Sequence, residues 1–372
     1  MRNLGTSRRI VVKIGTNILS GPGGIDEVYV DEIARQIAAV VRAGREVLLV
    51  SSGAIGLGAR ELGIEGKVTS ITMRQACAAT GQPVLMNTYK AAFQRQGLQV
   101  AQVLLTREVL ENRRSYVNAR NAVETLLSLG TVPVFNENDS ISTEEIGTAF
   151  GDNDQLSALI ASKVDAELLV MLTDIDALYD RDPRQDSQAQ PIRTVSEITD
   201  EITRHAGKPG SSHATGGMET KLKAVRIASR AGCHAVIANG KEPDVLTRIL
   251  ADEELGTIFL AKERLKNRSR WILNAKPQGR IIVDEGALAA IRNHNSLLPT
   301  GVTGVEGVFR AGSVVEVRCP ECEGEVAKLV SALNSTDLER VIGKHLREAQ
   351  DTLGPGKKEI IARPEDIVFL QD

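Results

Sequence analysis

The sequence contains few aromatic residues and few cysteines. Phe, Trp and Tyr make up only 3% of its 372 residues, so its core must be built mainly from Val, Ile, Leu and Ala. That mixture favours buried parallel strands covered by alanine-rich helices. Four cysteines are too few for a disulfide-stabilised scaffold of this length, and they indicate reduced thiols.

Long apolar runs and a strong net charge are also lacking. No run approaches the roughly 20 apolar residues that a transmembrane helix needs. The N-terminus begins like a signal peptide, but Lys13 and Gly15 interrupt its apolar run too early. The formal net charge of -3 gives no case for the whole protein binding nucleic acid or an anionic membrane. We therefore expect a cytoplasmic protein with no specific nucleic-acid partner and no membrane partner.

Residues 1–262 alternate apolar runs with helical patterns. At 372 residues the chain exceeds the roughly 250–300 residues at which single cores stop growing, so we expect two domains. The alternation predicts an α/β fold for the first of them, a three-layer αβα sandwich with a mainly parallel sheet. The predicted strands are Ile10–Ile14, Glu46–Val50, Gln99–Leu104, Val132–Phe135, Glu167–Leu172 and His234–Ala238, and the predicted helices are Val28–Ala43, Gln82–Gln96, Tyr116–Leu129, Asn153–Val164 and Met218–Ala231.

The composition changes after residue 262. Residues 263–279 are rich in Lys and Arg and are interpreted as a basic linker, in which Trp271–Leu273 is a candidate strand. Residues 280–372 combine short apolar runs with glycine turns, which predicts a small, mostly-β domain. Its predicted strands are Arg280–Asp284, Gly307–Phe309, Val314–Val317, Glu359–Ala362 and Ile367–Leu370, and its predicted helices are Ala287–Arg292 and Thr336–Ile342.

Five short polar or glycine-rich stretches stand at or just after the ends of predicted strands. Lys13 ends the first strand and is followed by Gly15. Because an unpaired buried charge is very costly, this lysine either reaches solvent at the sheet edge or binds an anion. Ser51–Gly58 follows the next strand and leads into a helix, which fits either a tight turn or an anion site made of backbone N–H groups.

Two stretches rich in carboxylates and amides come later. Asn136–Asp139 follows an apolar strand and could be only a turn. Asp152, Asn153 and Asp154 open a helix, and N-capping explains one of the three but does not require them all. Together the two stretches offer ligands for an ammonium group, a hydroxyl or a metal.

The last stretch, Ala214–Lys221, brings a double glycine to the start of a helix. Backbone N–H groups at a helix start can hold a phosphate while Lys221, about one turn further, contacts the same oxygens. A flexible loop before an ordinary amphipathic helix is the alternative. Each stretch is a weak signal by itself, whereas their joint order on an α/β chain is specific.

In this order the five stretches resemble the amino-acid kinase superfamily, and residues 280–372 resemble a PUA domain. The matching segments are Val-Lys-Ile-Gly-Thr from Val12, Ser-Ser-Gly-Ala-Ile from Ser51, Asn-Glu-Asn-Asp from Asn136, Gly-Asp-Asn-Asp-Gln-Leu-Ser-Ala from Gly151 and Thr-Gly-Gly-Met-Glu-Thr-Lys from Thr215. The combination of domains implies a member that uses ATP to phosphorylate the γ-carboxylate of L-glutamate. That reaction gives γ-glutamyl phosphate and is the first step of proline biosynthesis.

The resemblance implies a role for each matching residue. Lys13 and Lys221 would flank the transferred phosphoryl group, and Asp154 would hold both lysines in position, which makes these three the catalytic residues. The implied glutamate-binding residues are Ser52, Asp139 and Asn153. The implied ATP-binding residues are Lys13, Thr173, Asp174, Thr215, Gly216, Gly217, Met218, Glu219, Thr220 and Lys221.

The chemistry of such a kinase agrees with the residues available. A side-chain carboxylate has a pKa near ~4.3, so it is already ionised at pH 7 and needs no general base. The five histidines of the chain all lie outside the five stretches. Phosphoryl transfer needs alignment and cationic stabilisation, which two lysines and the Mg²⁺ that accompanies ATP would supply.

Other acceptors and other classes of protein are the alternatives. Acetylglutamate, carbamate and uridylate kinases belong to the same superfamily, but the Gly151–Asp154 cluster and the additional domain favour glutamate. PUA modules also occur in RNA-modifying enzymes. Here residues 281–372 carry fifteen acidic and ten basic residues, and their net charge of -5 disfavours contact with a phosphate backbone.

Cys319 and Cys322 raise the question of a metal site. A structural zinc site usually has four ligands, and no second Cys pair or His pair is placed to complete one. We therefore expect an exposed turn with two free thiols, and no metal site built by the protein.

The resemblance also implies properties that no residue indicates by itself. They are feedback inhibition by proline, a homo-oligomeric assembly and an association with γ-glutamyl phosphate reductase. We expect the C-terminal domain to serve assembly or regulation.

Overall fold

The structure, a computed structural model, falls into two compact units, Met1–Arg264 and Leu265–Asp372. Among its described residues, no helix is both long enough and apolar enough to cross a bilayer. The described residues are 2–21, 23–66, 68–141, 153–181, 183, 186, 188–199, 202–203, 217–262, 265–320, 325–354 and 359–370.

A large sheet forms the centre of the first unit. The described strands of this unit are β1 (Arg9–Ile14), β2 (Ser20–Gly21), β3 (Gly24–Ile25), β4 (Glu46–Val50), β5 (Val100–Leu105), β6 (Val132–Glu137), β7 (Leu168–Thr173), β8 (Leu178–Tyr179), β9 (Pro191–Ile192), β10 (Thr194–Val195), β11 (His234–Asn239) and β12 (Thr257–Phe259). An 8-stranded sheet has the order β10-β12-β11-β7-β1-β4-β6-β5. Its neighbouring strands are parallel, except that β12 runs antiparallel to β11.

Helices cover both faces of this sheet. The described helices are α1 (Thr16–Leu19), α2 (Glu27–Arg42), α3 (Ala54–Glu61), α4 (Ile71–Arg95), α5 (Arg107–Glu111), α6 (Arg113–Ser128), α7 (Asp154–Lys163), α8 (Met218–Arg230) and α9 (Val245–Leu250). Buried side chains of α2, α4 and α9 share one apolar core with the sheet. Those of α6, α7 and α8 share the other. The predicted three-layer sandwich with a mainly parallel sheet is therefore confirmed.

Strand β1 lies at the centre of the sheet, between β4 and β7. Because successive side chains of a strand point to opposite faces, Ile10, Val12 and Ile14 join the core beneath α2 and α4. Val11 joins the core on the other face. Lys13 shares the face of Val11, so its side chain is directed to the side of α7 and α8.

Helices α3 and α4 cross at very short distance. A Cβ atom built on Gly58 would lie 1.7 Å from the carbonyl oxygen of Cys77, and one on Gly81 would lie 1.9 Å from that of Ala54. These glycines therefore allow the two backbones to touch, and the contact fixes α4 next to the loop in which α3 begins.

The predicted start of helix α4 at Gln82 is wrong. The helix begins at Ile71, after Ser70, whose hydroxyl caps it by accepting a hydrogen bond from the backbone N–H of Met73 at 3.2 Å. Proline usually marks the first turn of a helix, whereas Pro83 lies in the interior of this one. The cap at Ser70 is the signal that the prediction overlooked.

The second unit contains a small mixed sheet. Its described elements are α10 (Asn267–Asn274), β13 (Arg280–Val283), α11 (Glu285–Arg292), β14 (Val302–Glu306), β15 (Val314–Arg318), β16 (Glu325–Val330), α12 (Ser335–Glu339), α13 (Leu346–Leu353) and β17 (Ile367–Phe369). The 5-stranded sheet has the order β14-β13-β15-β16-β17. This confirms a small, largely β fold for this part of the chain.

Several details of the second unit differ from the predictions. Trp271–Leu273 lies in helix α10 and is not a strand. The strand predicted at Gly307–Phe309 lies earlier, as β14, because Gly307 has a φ of 84° and ends the strand. The segment Glu359–Ala362, which was predicted as a strand, does not form one. Its last residue, Ala362, forms an isolated β-bridge with Leu297.

The expected exposed turn at Cys319 is also wrong. Cys319 is fully buried in the apolar core of the second unit, so its thiol belongs to the packing of that core. Cys322 lies outside the described residues.

The contact between α3 and α4 predicts different outcomes for two glycines of the same helix. Gly58→Ala should destabilise the protein by about 1–3 kcal/mol, because the new methyl group would overlap backbone atoms of α4. Gly56→Ala should be neutral or stabilising, since a methyl group added there would meet no heavy atom of a neighbouring element within 4 Å. Urea unfolding of both variants measures the difference, and equal midpoints would contradict the close contact.

Candidate active site

The carboxyl ends of β1, β4, β6 and β7 meet at one edge of the large sheet. Because these strands are parallel neighbours, the residues that follow them lie near one another. Helix α3 begins soon after β4, and helix α7 begins at Asp154, after β6 in the chain. Several of the polar stretches predicted from the sequence are thereby brought to this edge.

A buried cluster of two lysines and one carboxylate lies there. Lys13 Nζ is 2.8 Å from Asp154 Oδ1, and Lys221 Nζ is 3.3 Å from Asp154 Oδ2. The side chains of Lys13, Asp154 and Lys221 are 1%, 0% and 2% exposed. Three separate elements supply them, namely β1, the first residue of α7 and the first turn of α8.

In this cluster a single carboxylate pairs with two ammonium groups, and the charge of Asp174 also interacts with that of Lys221. Thr220 adds a hydrogen bond from its hydroxyl to Asp154 Oδ2, at 2.9 Å. Both carboxylate oxygens are thus engaged, which fixes the side chain of Asp154 and, through it, the two ammonium groups. Two buried cations held at one point favour the binding of an anion there.

Asn153, which precedes α7, has a left-handed backbone with a φ of 60°. Its Nδ2 donates hydrogen bonds to the carbonyl oxygen of Ser51 at 2.6 Å and to Asn136 Oδ1 at 2.7 Å. Because asparagine tolerates this conformation better than most residues, its identity at the turn has a backbone reason as well as a chemical one. The three residues come from the ends of β4, β6 and the turn before α7, and all are buried.

The other residues implied in glutamate binding lie at the same edge. Ser52 is buried two residues after β4, next to Gly53, whose φ of 95° makes the turn into α3. Asp139 lies two residues after β6 and is partly buried. Burial raises the pKa of Asp139 to about 6, and the positive charge of Arg74 limits that rise.

The residues implied in ATP binding are placed unequally. Thr173 ends β7, and its hydroxyl donates to Asp174 Oδ1 at 3.0 Å. Burial opposes the charge of Asp174, but hydrogen bonds from Asn17 and Thr173 prevail, so its pKa is below the ordinary value. Asn17, on helix α1, was not among the predicted site residues.

The start of α8 supplies the remaining described residues of that set. Gly217 precedes the helix and Met218 is its first residue. Thr220 and Lys221 face Asp154, whereas Glu219 is exposed and pairs with Lys223 at 2.8 Å. Thr215 and Gly216 lie outside the described residues.

Asn136 is a site residue to which sequence reasoning assigned no role of its own. Its stretch was recognised, but the position of its amide between Asn153 and Gln82 depends on a partner in a distant helix. A signal did exist, because an asparagine at the end of a near-continuous apolar strand must find buried partners.

Family models match both units. The amino acid kinase family model matches residues 8–239, and the PUA domain model matches residues 279–353. The chain therefore belongs to the amino acid kinase family and is a kinase with a C-terminal PUA domain.

Curated relatives narrow this class. Glutamate 5-kinase from Methanosarcina mazei is 45% identical over 98% of this chain and 96% of that protein. Glutamate 5-kinase from Geobacter metallireducens is 46% identical over 90% of each chain. Within the amino acid kinase family, the chain thus belongs with the glutamate 5-kinases. Among solved structures, UMP kinase from Bacillus anthracis has 17% identity and a TM-score of 0.48 over 70% of this chain and 98% of that one.

The charge cluster predicts a strong stability effect at Asp154. Asp154→Asn should lower the free energy of unfolding by about 3–5 kcal/mol, because it removes the buried carboxylate that pairs with both ammonium groups. Glu219→Gln removes an exposed carboxylate on the adjoining helix and should have little effect. Guanidinium unfolding compares the two variants, and similar small losses would mean that the cluster is well solvated.

Proposed function

We propose that this chain transfers the γ-phosphoryl group of ATP to the side-chain carboxylate of L-glutamate. A carboxylate oxygen forms a bond to the γ-phosphorus, the bond from that phosphorus to the β,γ-bridging oxygen breaks, and ADP leaves with the electron pair. The products are γ-glutamyl phosphate and ADP, and no proton has to move. The observation that carries the proposal is the buried Lys13–Asp154–Lys221 cluster at the sheet edge.

The two lysines would act on charge and alignment. A transferring phosphoryl group spreads negative charge over its equatorial oxygens, so fixed cations that surround it lower the barrier. Lys13 comes from the central strand and Lys221 from the start of α8, so they approach a common ligand from different elements. Asp154 would keep both in place without itself exchanging a proton.

Glutamate would bind beside this cluster, near the ends of β4 and β6. The carboxylate of Asp139 suits the α-ammonium group, and it is ionised above a pKa of about 6. Asn153 gives both of its amide hydrogens to protein acceptors, so its Oδ1 is the atom that can accept a hydrogen bond from the substrate. Ser52 adds a hydroxyl close by.

ATP would lie along the end of β7 and the start of α8, next to Thr173, Asp174 and the segment Thr215–Lys221. Mg²⁺ would be held chiefly by the nucleotide's phosphates and by water, as is usual for this ion. Among the described residues, no group of three or more His, Cys, Asp or Glu side chains gathers into a metal cage. Asp174, an exposed carboxylate at this edge, is the residue best suited to meet the ion.

The wider role follows from the same family. We place the reaction in the cytoplasm, as the first step of proline synthesis, with proline as feedback inhibitor. We also propose that the protein forms a homo-oligomer and associates with γ-glutamyl phosphate reductase. The proposed domains are the kinase domain at residues 1–262, a basic segment at 263–279 and the PUA domain at 280–372.

A coupled assay of ADP release tests the proposed reaction. Purified full-length protein with ATP and Mg²⁺ should turn over with L-glutamate and not with N-acetylglutamate, whose blocked nitrogen cannot pair with Asp139. Addition of proline in the same assay should slow the reaction. Equal or greater turnover with N-acetylglutamate would contradict the assigned acceptor.

Removal of either lysine should affect turnover more than substrate binding. We expect Lys13→Ala and Lys221→Ala each to lower kcat by at least about 100-fold, since each group acts on charge that develops in the transition state. Lys223→Ala, two residues along α8 and exposed, should keep nearly normal kcat. Steady-state kinetics with glutamate decide the matter, and near-normal turnover in either buried-lysine variant would remove it from the catalytic set.

The raised pKa of Asp139 predicts a pH dependence. Below pH about 6 the carboxyl group becomes neutral and loses its attraction for the ammonium group, so kcat/KM for glutamate should fall as pH decreases from 7 to 5. In Asp139→Asn, kcat/KM should be low throughout, through a raised KM, and should lose this limb of the profile. An unchanged profile in the variant would assign the titration to another group.

A further inference from the structure

Helix α4 places two polar side chains in the interior, next to the candidate site. Gln82 and Tyr89 are seven residues apart, which is close to two helical turns, so they lie on the same face of the helix. Gln82 is 8% exposed and Tyr89 is 0% exposed. Neither residue belongs to the five stretches that identified the kinase from its sequence.

Gln82 is connected to Asn153 through one intermediate amide. Asn136 Nδ2 donates to Gln82 Oε1 at 2.7 Å, and Asn136 Oδ1 accepts from Asn153 Nδ2 at 2.7 Å. On its other side, Gln82 Nε2 donates to Gln102 Oε1 at 3.3 Å. Every donor in this row of amides points the same way, from Asn153 towards Gln102.

Tyr89 reaches the same asparagine by a second route. Its hydroxyl is 2.9 Å from Ser51 Oγ, and the carbonyl oxygen of Ser51 accepts the other hydrogen bond of Asn153 Nδ2, at 2.6 Å. Both hydrogens of the Asn153 amide are therefore given to residues that α4 holds. The position of α4 is itself fixed, because its backbone touches that of α3 at Gly81.

We propose that Gln82 and Tyr89 are positioning residues for the amino-acid substrate, acting through Asn136 and Ser51 on the orientation of the Asn153 amide. The donor direction of the row of amides directs the nitrogen of Asn153 inward and leaves its oxygen to accept from the substrate. Neither Gln82 nor Tyr89 has to touch the substrate. The proposal rests on the proposed phosphorylation of glutamate.

A purely structural role for these side chains makes a different prediction. Buried polar groups are normally hydrogen-bonded, so any such pair contributes to stability wherever it lies. If Gln82 and Tyr89 did no more than that, substitution would lower the melting temperature and leave the substrate constants unchanged. A selective effect on the KM for glutamate separates the two possibilities.

Matched controls exist in the same unit. Gln36 on α2 is 2% exposed and also makes two hydrogen bonds, accepting from the backbone N–H of Leu246 at 2.8 Å and donating to Glu32 Oε1 at 2.9 Å. Tyr29 has a buried hydroxyl that finds no hydrogen-bond partner among the described residues. Gln36→Met and Tyr29→Phe therefore remove the same atoms as Gln82→Met and Tyr89→Phe. Tyr29 interacts electrostatically with Tyr89, but among the described residues neither control side chain is hydrogen-bonded to Ser51, Asn136 or Asn153.

Steady-state kinetics and thermal unfolding of the four full-length variants test the proposal. In Gln82→Met the KM for glutamate should rise about fivefold or more, and in Tyr89→Phe about threefold, which corresponds to roughly one lost hydrogen bond. The KM for ATP should stay within about twofold in both, because the nucleotide contacts lie on β7 and α8. Gln36→Met should lower the melting temperature and leave both KM values unchanged. Tyr29→Phe should also leave both KM values unchanged.

The outcomes are distinguishable. A KM for glutamate within about twofold of the unsubstituted value in both Gln82→Met and Tyr89→Phe overturns the positioning role, as does an equal rise in Gln36→Met. If Gln82→Met fails to fold, Tyr89→Phe decides, since it removes a single oxygen atom. Absence of glutamate-dependent turnover in the unsubstituted protein overturns the proposed function instead, and the positioning role with it.

Discussion

The two ion pairs that Asp154 forms with Lys13 and Lys221 are the interaction on which the arrangement of the kinase unit depends. An ammonium group inside a sheet sandwich is stable only when a counter-charge is supplied, and here one carboxylate supplies it to Lys13 and Lys221 together. This requires the central strand, the start of α7 and the start of α8 to meet at one point. The large apolar cores on either side of the sheet hold these elements there.

Most of the fold could be predicted because its signals are local. The strand Glu46–Val50 was predicted with its observed ends, and the other large strands within one or two residues, since a buried parallel strand is a near-continuous apolar run. Helix α4 was predicted too short, because Pro83 has the local signature of a helix start. Strand β16 was missed, since its pairing with β15 and β17 comes from tertiary contacts.

Only part of the candidate site could be predicted from the sequence. Lys13, Asp154 and Lys221 were assigned together from family resemblance, and the geometry of their contact supports that assignment. The supporting roles of the Gln82 and Asn136 amides were not predicted. Gln82 lies in the sequence like any other polar residue of its helix, and nothing local indicates that Asn136 is its partner. Contacts between residues far apart in the chain leave no periodic pattern, which is why the residues around a site are harder to predict than its charged centre.

The order of synthesis gives the central position of β1 a further consequence. The strand is made before the other strands of its sheet, and Asp154, which pairs with its lysine, and Lys221, which shares that carboxylate, are made later. Asp154 and Lys221 are themselves separated by 67 positions. Until the start of α8 emerges, a nascent chain could pair Lys13 with Asp154 but would lack Lys221, so the complete cluster can form only after residue 221 has been made. A truncated product that ends before α8 therefore cannot hold the complete cluster, and the second cation of the anion site is added only when this late helix has been made.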